Sequence, residues 1–159
     1  MKFEEIMQQE KVDFSGIDAS LFLLGLLSAF DNRYQAKADS FFEEISWKQF
    51  FAIICIKMCK ESPTINELAE IMGSSHQNVK QILLKLEKKD FVKIIIDKDD
   101  KRKQRILLTE HCKEFCQKND AMSQAIMESL FYQISPEQLQ TTIKTIIQVE
   151  DNLKKLEGE

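Results

Sequence analysis

Between Ser74 and Gln81 the chain reads SSHQNVKQ, a run of side chains suited to reading a polyanion rather than attacking a substrate. The amides of Gln77 and Asn78 can pair bidentately with adenine, and His76 can donate to guanine or to a phosphate. Ser74 and Ser75 open the run, and Lys80, Gln81 and Lys85 fall where a helix would carry them toward phosphates. A second charged stretch, DKDDKRKQR at 97–105, sets Lys98, Lys101, Arg102, Lys103 and Arg105 among Asp97, Asp99 and Asp100. A mixed tip of this kind suits one cation entering a narrow minor groove while a carboxylate orients it.

Other chemistry is thinner. Cys55/Cys59 and Cys112/Cys116 form two C-x-x-x-C pairs, each at i,i+4 on one helix face. Four thiolates could hold zinc, or a pair could act as a redox switch. All four sit on apolar faces, beside Ile54, Met58 and Phe115, whereas structural zinc draws its cysteines from knuckles and turns. Buried cysteine as a small hydrophobe is the plainer reading, and no metal is expected. His76 and His111 are the only histidines. The chain has no Gly-rich phosphate loop, nucleophile–base pattern or paired carboxylates in an apolar setting, so neither an enzyme nor a cofactor is expected.

These residues need elements to position them. Apolar side chains at 22, 23, 26, 27, 30 and 34 recur at helical spacing and predict a long first helix over 17–38. Residues 1–15 are polar, a loose arm or short helix. Ser46 reads as an N-cap for WKQFFAIICIKMCK, which is apolar on nearly every side and should be buried until Glu61, Ser62 and Pro63 end it. Thr64 with Glu67 is a capping box for the helix NELAEIM, and Gly73 stands where that helix must stop and turn.

Ser75 caps the next helix, 76–89, with Val79, Ile82, Leu83 and Leu86 on one face. Phe91–Ile96 and Arg105–Leu108 have strand character around the charged tip. Thr109 caps a helix to about Gln133, and Ser135-Pro136-Glu137-Gln138 starts the last one, to about Leu156. The fold class is therefore mainly α with a small β-hairpin wing. Two short helices, a turn and a winged ribbon form a device for placing one helix in the DNA major groove.

Charge agrees with that placement. The 159 residues carry a net charge of −4, unusual for a nucleic-acid binder. Ser74–Arg105 alone holds ten basic and five acidic side chains, a surplus of +5 that leaves −9 on the rest. A basic reading surface on an acidic body should bind DNA with a steep salt dependence. The N-terminus shows no signal-peptide pattern, and Leu21–Phe30, the most apolar run, is short of the ~20 residues a bilayer needs. No membrane partner is expected, and a cytoplasmic location with reduced thiols is.

TINELAEIMGSSHQNVKQILLKLEKK and the wing DKDDKR followed by KQRILLT resemble the MarR family of winged helix-turn-helix regulators. One departure is Asp90, where family members commonly have Gly. The resemblance spans roughly 17–156 and implies a single MarR-like domain over 1–159. Its winged core would cover about 46–109, with dimerisation helices at about 15–38 and 110–157. It also implies a homodimer whose two modules read a pseudo-palindromic double-stranded operator. Arg102 would enter the minor groove, with Asp100 as its orienting partner. The implied function is a repressor released by a small-molecule effector, for which Phe30, Arg33, Tyr34, Trp47 and Phe51 are the candidate pocket residues. A thiol-based redox regulator on the same fold is one alternative. A winged-helix protein-interaction module that never touches DNA is another.

Overall fold

A computed structural model describes residues 16–156; the polar segment 1–15 lies outside them. The described residues contain α1 (Ala19–Ala38), α2 (Trp47–Met58), α3 (Ile65–Ile71), α4 (His76–Lys88), β1 (Val92–Ile96), β2 (Gln104–Leu108), α5 (Glu110–Leu130) and α6 (Pro136–Leu156). They fall into two compact units, one running to Cys112 and the other beginning at Lys113.

In the first unit, α2, α3 and α4 pack on one another and on the antiparallel hairpin β1–β2. Their shared interior is Ile53 and Ala52 from α2, Leu68 from α3, Val79, Leu83 and Leu86 from α4, and Phe91, Val92 and Ile106 from the hairpin, all almost fully buried. The pattern behind this is local. Val79, Leu83 and Leu86 recur at three- and four-residue spacing, so one stripe of α4 faces inward and the opposite stripe stays polar.

The ends of these helices are set by caps. Ser46 and Gln49 make a complete capping box on α2, and Thr64 and Glu67 make one on α3. Gly73 takes φ +58, and the Ser74 N–H closes back on the Ala69 carbonyl at 2.9 Å, a left-handed stop between α3 and α4. Asp90 does the same after α4 at φ +57, with the Phe91 N–H on the Leu86 carbonyl, so the departure from Gly keeps the left-handed turn. Thr109 fastens this end: its hydroxyl donates to the Asp90 carbonyl and accepts from the Cys112 N–H at 3.2 Å.

Helix α2 is shorter and less buried than its composition suggests. It stops at Met58 because Cys59 is extended (ψ 137°), and Met58 is 74% exposed. The hairpin also gains a neighbour. The Ile106 N–H donates to the Pro63 carbonyl at 3.0 Å, and Thr64 bridges Arg105, so the loop before α3 runs beside β2 like a stub of third strand.

The outer helices differ. Of the apolar positions that recur at helical spacing on α1, none is buried, and Leu21, Leu24 and Phe30 are more than half exposed. Helix α5 ends at Leu130, three residues early, because Phe131–Gln133 turn and Gln133 takes φ +60. Helix α6 has no buried residue, although Leu139, Ile143, Ile147 and Leu153 line one side of it.

Candidate nucleic-acid interface

Helix α4 carries most of the residues expected to read DNA. Ser75 caps it, accepting from the Asn78 N–H at 3.2 Å. Gln77, Asn78, Lys80, Gln81 and Lys85 are all exposed, while the buried stripe holds the helix down. His76 is exposed as well but not loose: its Nδ1 lies 2.6 Å from Asn66 Oδ1 on α3. Asn66 is a residue sequence reasoning passed over, since nothing local links positions ten apart across a turn.

The wing tip is built on Asp97, 9% exposed. Its Oδ1 accepts from the Asp99 and Asp100 N–H groups at 2.8 and 2.9 Å, and its Oδ2 takes Arg105 Nε at 2.5 Å. The Arg105 guanidinium and these amides hold the Asp97 carboxyl far below the usual carboxylate range. Arg105 Nη1 continues to the Ser62 carbonyl at 2.9 Å and lies 3.6 Å from Glu67. Arg105 is thus a tie between the wing and the loop before α3, not a tip cation. The D-x-D-D pattern of an Asx turn was the available signal for Asp97.

Arg102 stands free of that tie, with its side chain 91% exposed. Asp100 accepts from both its Nε (3.1 Å) and its Nη2 (3.3 Å), and Arg102 pulls the Asp100 carboxyl below its ordinary value. The predicted orienting pair is formed. Lys101 and Lys103 are exposed beside it.

Two depressions divide the predicted residues. One, of about 290 Å³, gathers Thr64, Asn66, His76, Lys80, Arg102 and Lys103 between the starts of α3 and α4 and the wing. The other, of about 660 Å³, lies between α1, α2 and the turn into α4. Tyr34, Trp47 and Phe51 line it, and so do Ser74, Asn78 and Gln81. Tyr34 meets Trp47 edge-on at 4.8 Å, and Trp47 stacks with Phe51 at 6.1 Å. Phe30 only stacks on the outer side of Tyr34 at 5.7 Å, and Arg33 is exposed; neither lines the cleft.

The cysteines lie elsewhere. Cys55 and Cys112 are buried, Cys59 and Cys116 half-buried, and the Cys59 thiol donates to the Cys55 carbonyl at 3.2 Å. Burial pushes the Cys55 thiol up, with Cys59 adding to it, the opposite of a reactive thiolate. Among the described residues no group of three or more His, Cys, Asp or Glu is placed to hold a metal ion, and no helix is long and apolar enough to cross a membrane.

A capped reading helix, a left-handed turn before it and a ribbon with an exposed arginine define a winged helix-turn-helix. A family model described as the MarR family matches residues 45–103, the stretch that holds the winged module. No curated protein matches the sequence. Among solved structures, a MarR/EmrR family transcriptional regulator from Acinetobacter sp. ADP1 superposes with a TM-score of 0.77 at 15% identity, over 87% of this chain and 99% of its own. S. aureus MepR, solved with DNA, superposes at 0.71 and 19%, over 86% and 99%. Bordetella bronchiseptica BpsR, whose DNA binding is regulated by 6-hydroxynicotinic acid, superposes at 0.71 and 15%, over 88% and 97%. Over nearly nine-tenths of its length the chain therefore shares the fold of these winged-helix structures.

Proposed function

We propose that this chain is a cytoplasmic, sequence-specific DNA-binding transcriptional regulator, a homodimeric repressor that a small molecule releases from its operator. The observation that carries the reading is Arg102, 91% exposed at the wing tip and aimed by Asp100, beside a reading helix with an anchored apolar stripe and a polar outer face. In this reading Gln77 and Asn78 read bases, Lys80, Lys85, Lys101 and Lys103 meet phosphates, and Arg102 enters the minor groove. S. aureus MepR and S. pneumoniae FabT, which share the fold, have been solved with DNA.

The homodimer rests on the outer helices. Apolar stripes as exposed as those of α1 and α6 are an aggregation liability in a lone chain, and a symmetric pair would bury them. Release rests on the larger cleft. At about 660 Å³ it is in the range of small-molecule sites, with an aromatic wall from α1 and α2 and a polar wall from Ser74, Asn78 and Gln81. A ligand held there touches the reading helix itself, so its affinity differs between DNA-competent and incompetent arrangements.

The test is binding to the chain's own promoter DNA across a salt series. Gln77→Ala should cost roughly 1–3 kcal/mol and relax sequence preference, while Arg102→Ala should weaken binding broadly. Unchanged affinity in both variants, or no salt-dependent binding at all, sinks the reading in favour of a protein-interaction module.

A further inference from the structure

The turn at the wing tip is joined to the body of the module by a side chain. Resting on the DNA-binding reading above, we propose that Arg105 is a positioning residue for the minor groove. It links Ser62 to Asp97 and thereby aims Arg102, without touching DNA itself.

A two-stranded ribbon is marginal by itself, so a reading tip needs a reference outside the ribbon. The backbone supplies one at the base of β2, where Thr64 bridges Arg105 and the Ile106 N–H donates to the Pro63 carbonyl. Residues 97–103 lie beyond both. Within the tip the turn closes on itself. The Asp97 N–H donates to the Lys103 carbonyl at 2.9 Å and the Lys103 N–H to the Asp100 carbonyl at 2.8 Å, while Asp97 Oδ1 accepts from the Asp99 and Asp100 amides. These bonds fix the shape of the turn and leave its direction open.

Arg105 sets the direction. Its Nε donates to Asp97 Oδ2 and its Nη1 to the Ser62 carbonyl at 2.9 Å, so one planar group meets tip and body at once. Asp97 passes the constraint on: its other oxygen holds the Asp100 amide, and the Asp100 carboxylate holds Arg102 Nε and Nη2. The Arg105 side chain is 29% exposed against 91% for Arg102, so one arginine is held and the other presented. The α3 cap does not depend on this link, because Glu67 accepts from the Thr64 N–H at 2.7 Å and lies 3.6 Å from Arg105. An arginine already aimed gives up less freedom on entering a groove than one that wanders.

A narrow minor groove over A·T pairs attracts an inserted arginine, so flank preference reports on Arg102, while α4 reports through the major groove. The probes are duplexes of the chain's own promoter, footprinted to locate the site, with the flank under the wing made A·T or G·C. Wild type should favour the A·T flank, and Arg102→Ala should lose that preference. Arg105→Gln should lose it equally, keep the base preferences set by Gln77 and Asn78, and add no further loss to Arg102→Ala in the double variant. Arg105→Lys keeps the charge but not the fork, and should not rescue the flank preference. A flank preference kept in either Arg105 variant, or lost together with the base preferences of α4, overturns the proposal while leaving DNA binding standing. A wild-type chain indifferent to the flank overturns it as well. Absence of salt-dependent duplex binding overturns both readings.

Discussion

Helix α4 of the winged module and the last helix are built from similar fractions of apolar side chains and end in opposite states. Leu83 and Leu86 on α4 are fully buried, whereas Ile143 and Ile147 on α6 are 47% and 50% exposed. Both sets recur at helical spacing, so periodicity alone does not distinguish them. The difference lies in what surrounds each helix. Within about sixty residues the module brings three helices and a hairpin around one interior, and it closes that interior with its own capping boxes and left-handed turns. Helix α6 has an amphipathic pattern and a good cap, Ser135 with Gln138, but no interior. The stripe on α6 is the one a homodimer of the kind proposed above would cover.

The largest effect should come from disturbing that stripe. Ile143→Glu with Ile147→Glu should leave the thermal unfolding of the winged module in place, halve the mass by sedimentation, and weaken binding to a two-half-site operator by about 10²–10⁴ through lost avidity. An unchanged mass would erase the contrast between the regions. Next is the covered stripe. Leu83→Ala should destabilise the chain by about 2–5 kcal/mol in urea unfolding, by the same amount at every protein concentration.

A smaller effect concerns the tie inside the module. The folded-state Asp97 carboxyl titrates below its unfolded value, so its stabilisation is present at neutral pH, down to the ordinary carboxylate range near pH 4. It is lost as the pH falls further, through the folded value. The stability gap between wild type and Asp97→Asn should therefore be flat from pH 8 to pH 5 and shrink in acid. The smallest effect should come from the thiols. Cys59→Ser should change DNA affinity by less than about twofold, and mild oxidant should not abolish binding. Loss of binding reversed by reductant would instead favour the redox regulator.

What could be read from the residues was mostly what is decided within a turn or two of the chain. Thr64 with Glu67, Ser46, Gly73, Ser75 and Ser135 announce their helix starts and stops because capping and left-handed turns need particular side chains at fixed offsets. The Asp100–Arg102 pair, two residues apart, came through the family resemblance and is formed. Long-range ties were not legible. Nothing near Arg105 signals that Ser62, 43 residues earlier, takes its guanidinium, or that Asn66 holds His76. Cysteine spacing was legible, and so was the burial of Cys55 and Cys112; the half-exposed place of Cys59 was not, because the chain extends there and leaves the helix. Likewise Phe30 shares its period with Tyr34, yet the cleft opens on the Tyr34 side only.

The chain of bonds from Ser62 through Arg105 and Asp97 to the Asp100 amide has a geometric consequence. It braces the wing against the loop that launches α3, as a jaw is riveted to its beam. A pair of such jaws makes a caliper: each jaw keeps its shape, and the gap between them is the quantity that can be set. For a regulator paired in this way, one base pair inserted between half-sites displaces the second site by about 3.4 Å and rotates it by about a tenth of a turn. A caliper of this kind would measure operator length as strictly as it reads operator letters.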